Sequence, residues 1–182
     1  LSKTKSVEEL KEFIGDKEAI LSWKLDGLTI VLTYKKGKLI NGVTRGNGTI
    51  GEVVTKNVKE FKNIPLTIPF KGDLIVRGEA IIKYSDFNKM NEELDEQNQY
   101  KNPRNLCSGS VRQLDSKITA QRPLDIYIFN VQKSDTIKFN SHLASLEYLE
   151  KLGFNVNPVK VLVNSIPEVI EEINKIGENR EN

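Results

Sequence analysis

The 182-residue chain sets 27 Lys+Arg against 25 Asp+Glu, a net charge of +2, with 38% hydrophobic and 29% charged residues, a balance that suits one soluble domain with a sizeable core and excludes a disordered chain. So small a net charge makes no argument for nucleic acid by itself; a positive face would have to come from clustering. One cysteine, Cys107, excludes an internal disulfide, and one histidine, His142, leaves no Cys/His metal constellation; both read as structural. No apolar stretch is long enough to span a bilayer and the N-terminus does not resemble a signal peptide, so the expected location is cytoplasmic. Beginning at Leu1 rather than methionine, the chain is expected to be a piece of something longer.

In chain order, Ser6 followed by Val7-Glu8-Glu9 has the N-cap and acidic first turn of a short helix, with Leu10, Phe13 and Ile14 as its apolar stripe. Ala19 to Leu32 is β-rich and places Lys24 on a buried strand. Leu28 to Tyr34 and Leu39 to Thr44 flank Lys35-Lys36-Gly37-Lys38, a hairpin turn with glycine where positive φ is easiest. Val53, Val54, Val58 and Phe61 predict a helix that ends before Pro65. Asp73 to Lys83 reads as a strand whose alternation aims Arg77 and Glu79 to one face. A helix capped at Ser85 carries Phe87, Met90 and Leu94, and Asp95 to Lys101 reads as an exposed loop. Asn105 to Leu114 is expected to be helical, Leu124 to Val131 a strand, and Ser141 to Leu152 and Ile166 to Ile176 two more helices. Hairpins and helices without regular βαβ alternation argue for an α+β fold with antiparallel sheets. Neither an internal repeat nor a second domain is visible.

Lys24 stands two residues before Asp26 and three before Gly27. A neutral amine attacks a carbonyl or a phosphorus, and apolar surroundings favour that form. For Lys-x-Asp-Gly alone the plainer reading, a surface lysine beside a turn, would win. Its company changes the balance: Thr44-Arg45-Gly46-Asn47-Gly48, Val76-Arg77-Gly78-Glu79, Asn102-Pro103-Arg104-Asn105 and Val111-Arg112-Gln113-Leu114-Asp115 follow in that order. No Walker or dinucleotide glycine fingerprint is present, so phosphate contacts fall to side chains, and the planar fork of arginine is suited to them.

Taken together, these five segments resemble the adenylation domain of NAD-dependent DNA ligases, from about Leu1 to the C-terminus. The resemblance implies the nucleotidyltransferase fold, two antiparallel sheets with surrounding helices and a nucleotide cleft. It makes Lys24 the nucleophile that attacks the α-phosphorus of NAD, expels nicotinamide mononucleotide and becomes lysyl-AMP, the adenylate passing next to a DNA 5′-phosphate. It implies that Asp26 orients the amine or accepts its proton; a turn-capping aspartate before Gly27 is the plainer reading, and the two are compatible. Arg45 would neutralise charge on the phosphate, against a surface hairpin arginine. Glu79 would hold the ribose hydroxyls or position a metal, against a solvated strand edge. Arg104 and Arg112 would serve nucleotide or DNA phosphates, against structural ion pairs. Phe129 would stack on adenine, against a core position on the alternating strand Tyr127-Ile128-Phe129. Arg122 matches a basic position near DNA without an assigned contact.

The chain departs from the family pattern at Ser22, where an acidic residue is usual, and at Asn47, where an aspartate is. It also lacks the family's two later lysines, the small domain that recognises nicotinamide mononucleotide, and the DNA-embracing regions. The expectation is a single adenylation-domain portion over residues 1–182, acting on nicked double-stranded DNA through the full-length enzyme in the nucleoid, as a monomer away from membranes, with NAD and Mg2+ as cofactors and no metal ligand assigned. Two rivals remain: a non-catalytic module that binds AMP or adenosine, and an ATP-dependent nucleotidyltransferase acting on another nucleic acid.

Overall fold

A computed structural model of the chain describes residues 6–15, 17–46, 48–162 and 166–178. The chain divides into two compact units, residues 1–24 with 158–182, and residues 25–157. Among the described residues no helix is long and apolar enough to cross a membrane.

The smaller unit holds α1 (Val7–Ile14), β1 (Ala19–Ser22), β6 (Val159–Leu162) and α7 (Ile166–Glu178). Ser6 caps α1, its hydroxyl accepting the Glu9 N–H at 3.3 Å, as the sequence predicts. β1 and β6 pair antiparallel as a two-stranded sheet, Ala19 opposite Leu162 and Ser22 opposite Val159. The expected α1 stripe is only half realised. No residue of α1 is buried and Phe13 is 77% exposed, because within this unit α1 leans chiefly on α7, and one neighbouring helix covers only part of a three-residue stripe.

In the larger unit β2 (Leu28–Lys35), β3 (Lys38–Thr44), β4 (Leu74–Ile81) and β5 (Asp125–Ser134) form one antiparallel sheet in the order β3-β2-β4-β5. Alternation puts Ile30, Leu32, Tyr34, Leu74, Val76, Ile126 and Ile128 on the buried face, each at most 2% exposed. Helices α2 (Thr55–Val58), α4 (Pro103–Val111) and α6 (His142–Lys151) cover that face, with Val58, Leu106, Val111, Leu146 and Leu149 buried. Tyr34 sits edge-on to Phe154 at 5.3 Å and donates its hydroxyl to the Pro65 carbonyl at 2.8 Å; burial pushes its ionisation upward. Arg77 and Glu79 share the other face, as alternation predicts.

Several boundaries move. The helix expected from Val53 to Phe61 is only α2, and α3 (Tyr84–Glu92) is capped at Lys83 instead of Ser85. The exposed stretch after it contains a short 3-10 turn at Glu96–Asn98. α4 starts two residues earlier than expected because Asn102 caps it, accepting the Asn105 N–H at 2.8 Å, and Pro103 takes the first turn. It ends at Val111, leaving Arg112 as the C-cap. α5 (Ser116–Ala120), capped by Asp115, and β6 are elements that the sequence reading omits.

Candidate active site

The arrangement begins at Gly27, where the chain enters β2. A Cβ there would stand 1.8 Å from the Ala80 carbonyl oxygen, so only glycine lets the backbone pass this close to β4. Glu79 fixes the passage. Its Oε1 accepts the Gly27 N–H at 3.1 Å and its Oε2 accepts the Thr29 hydroxyl at 2.7 Å, Thr29 being its direct cross-strand partner. Hydrogen bonds to a charged group contribute roughly 1.5–3 kcal/mol, so the carboxylate anchors the turn that follows Lys24-Leu25-Asp26. This half-buried, engaged position replaces the solvated strand edge weighed for Glu79.

α4 brings in two arginines, one near each end. Arg104 donates from Nη1 to Asp26 Oδ1 at 3.1 Å, with both side chains more than half exposed. Such surface pairs are worth about 0–1 kcal/mol, so Asp26 holds Arg104 only weakly. Eight residues on, about 12 Å along a helix, Arg112 pairs through Nε with Glu52 and through Nη1 with Ser108. Glu52 in turn closes the loop that carries Arg45: the Thr44 N–H donates to the Glu52 carbonyl at 2.9 Å, and the Glu52 N–H donates to Thr44 Oγ1 at 3.0 Å. The exposed side chain of Arg45 is set at this end of β2 because its own N–H donates to the Thr29 carbonyl at 3.0 Å. Asn47 lies outside the described residues.

Phe129 is not core. It is half-exposed on β5 and is the residue passed over by the register, in which Arg77 faces Asn130 and Gly78 faces Ile128. Alternation sets it on the face opposite Ile126 and Ile128, which are both buried. Lys24 also departs from expectation. It lies beyond the end of β1 and is exposed, so the buried strand position inferred from its apolar flanks is corrected. It is the last residue of the smaller unit, two residues before Asp26 in the chain.

Cys107, on the buried face of α4, donates to the Ala80 carbonyl at 3.1 Å; burial first, and then the Glu79 charge, push its thiol up to about 12, so it serves as a small core residue. Behind Arg112, the buried Asn57 donates to the Gln113 carbonyl at 2.7 Å and to Thr119 Oγ1 at 3.0 Å, and Thr119 donates to the Ser110 carbonyl at 2.9 Å. Sequence reading missed Glu52, Asn57 and Thr29. The first two act across 60 and 56 residues of chain, and only Thr29, by its place on the alternating strand, carried a local signal. Among the described residues no three His, Cys, Asp or Glu side chains gather to hold a metal.

The likeness to known proteins is extensive. Residues 4–182 match the profile of the NAD-dependent DNA ligase adenylation domain. The chain is 52% identical over 174 residues to a DNA ligase of Lachnoclostridium phytofermentans, covering 94% of this chain and 27% of that protein. A DNA ligase of Ruminiclostridium cellulolyticum is 51% identical over 174 residues, with 94% and 26% covered, and one of Clostridioides difficile 47% over 178 residues, with 96% and 26% covered. The chain thus spans about a quarter of the length of these relatives. A profile match over nearly the whole chain means that the chain belongs to the NAD-dependent DNA ligase adenylation domain family.

Proposed function

We propose that this chain is the adenylating portion of a DNA ligase that uses NAD, built on the nucleotidyltransferase fold with the nucleotide in a cleft beside the Glu79 face of the larger sheet. Lys24 Nζ forms a bond to the α-phosphorus of NAD while the bond from that phosphorus to the oxygen of nicotinamide mononucleotide breaks. The amine proton goes to a general base, for which Asp26 is assigned. Arg45, Arg104 and Arg112 stabilise the phosphate charge as it develops, and Phe129 stacks on the adenine. The adenylate then passes to a 5′-phosphate at a nick in duplex DNA, with the lysine as leaving group, in the full-length enzyme acting on DNA in the cytoplasm. Magnesium, bound with the substrate phosphates, would supply charge neutralisation to them.

The observation that carries this reading is the double clamp of Glu79 on Gly27 and Thr29, which holds the Lys-x-Asp-Gly backbone while Arg104 lies within 3.1 Å of Asp26. Intact mass spectrometry with peptide mapping, after incubation with NAD and magnesium or with ATP and magnesium, tests it. The expected result is one AMP added to Lys24 with NAD only. An adduct with ATP only would make the chain an ATP-dependent nucleotidyltransferase. Adenosine binding without any adduct would leave a binding module.

A further inference from the structure

The end of the larger sheet opposite Gly27 carries a second cluster that the chemistry above does not use. β2 and β3 are joined by the two-residue turn Lys36-Gly37, with φ of 50° and 76°, the left-handed pair of a type I′ turn. Lys36 is the one non-glycine residue with positive φ among those described. Asparagine, aspartate or glycine would sit there with less strain than a long side chain does. Gly37 has no alternative, since a Cβ on it would stand 2.5 Å from the Ile68 carbonyl oxygen and 2.9 Å from Lys71 Nζ. That second distance places the Lys71 ammonium directly over the turn. Lys35, Lys36, Lys38 and Lys71 are all exposed. The nearby carboxylates are already engaged, Asp73 with Lys35 at 3.7 Å and Asp135 with Lys133 at 3.9 Å. Among the described residues no carboxylate lies within ion-pair distance of Lys36, Lys38 or Lys71.

We propose that this lysine-capped hairpin tip is a docking surface for the phosphodiester backbone of duplex DNA, gripping it at a distance from the nick. The choice of DNA rests on the adenylating reading above. The strained lysine, the ammonium over the turn and the local deficit of carboxylates together distinguish the tip from an ordinary solvated face. Seven residue steps from Leu28 to Lys35, at about 3.3 Å each, put the tip roughly 23 Å from the Gly27 end. At about 3.4 Å per base pair that is about seven base pairs of duplex.

The test is the salt dependence of binding to nicked duplex for the wild-type chain and for the combined variant Lys36→Asn, Lys38→Gln, Lys71→Gln, in which asparagine keeps the turn. Three lost phosphate contacts should flatten the slope of log K against log salt by about 2.7. The difference should vanish on a duplex whose arms are cut to about five base pairs, too short to reach the tip. Parallel slopes on the long duplex, or no binding by the wild type, would overturn the docking surface. The AMP adduct, measured on the same two proteins with NAD, should be equal. A flattened slope without any adduct in either protein would keep the surface and reject the adenylating reading, while an adduct with parallel slopes would do the reverse.

Discussion

The two units of the chain are stabilised in different ways. In residues 25–157 a four-stranded sheet buries one whole face, with Ile30, Leu32, Tyr34, Leu74 and Val76 fully out of water. In the unit made of residues 1–24 and 158–182, Val169 is the only apolar side chain buried among those described, and a pair of four-residue strands and two helices hold the rest. Burying a large apolar side chain contributes about 1.5–3 kcal/mol, and that contribution is repeated many times across the buried face of the larger sheet. Lys24 ends the smaller unit, while Arg45, Arg104 and Arg112 belong to the larger one. The three arginines and their supports are thus attached to a buried sheet, whereas Lys24 is exposed beyond the end of a four-residue strand.

The largest expected effect tests the assignment at the junction of the two units. Lys24→Ala should abolish the AMP adduct without moving the thermal midpoint, because the side chain is exposed; an adduct that survives would remove Lys24 from the chemistry. Next, the packing contrast itself can be broken in denaturant. Leu32→Ala should destabilise the chain by about 2–5 kcal/mol and Phe13→Ala by no more than about 0.5 kcal/mol, and equal losses would erase the distinction. Glu79→Ala should weaken adenosine binding about tenfold or more, the equivalent of roughly 1.5–3 kcal/mol, with Thr29→Val losing less; unchanged affinity in both would dissociate the clamp from the nucleotide. The smallest effect is on pH. The Cys107 thiol, raised from 9.0 to about 12 by burial, keeps its proton in the fold when the unfolded chain has lost it. Its contribution is therefore whole below pH 9 and is lost as pH rises towards 12, with a slope of at most about 1.4 kcal/mol per pH unit. Cys107→Ala should lose that part of the alkaline decline, and superimposable curves would contradict the buried thiol.

The β2–β3 hairpin was legible almost to the residue because alternation and a glycine at the turn are local signals, and the common face of Arg77 and Glu79 followed from the same period. What a local pattern cannot contain is a partner far along the chain. The apolar flanks of Lys24 suggested burial, yet β1 stops at Ser22, where its register with β6 ends, and the lysine falls in the connection. Arg104 and Arg112 were found as motif residues, but their pairing with Asp26 and Glu52 spans 78 and 60 residues. α5 and β6, five and four residues long, are too short to show a period. For Phe129 the alternating strand allowed a core position, and which parity faces inward is settled only by the burial of Ile126 and Ile128.

Helix α4 acts on Arg104 and Arg112 as a measuring rod. Their separation is set by a count of residues, so substitution along α4 can be absorbed wherever packing allows, whereas inserting or deleting a single residue would swing one guanidinium about 100° around the helix axis relative to the other. Arg104 would then part from Asp26 or Arg112 from Glu52. Along this short helix, length itself is the information.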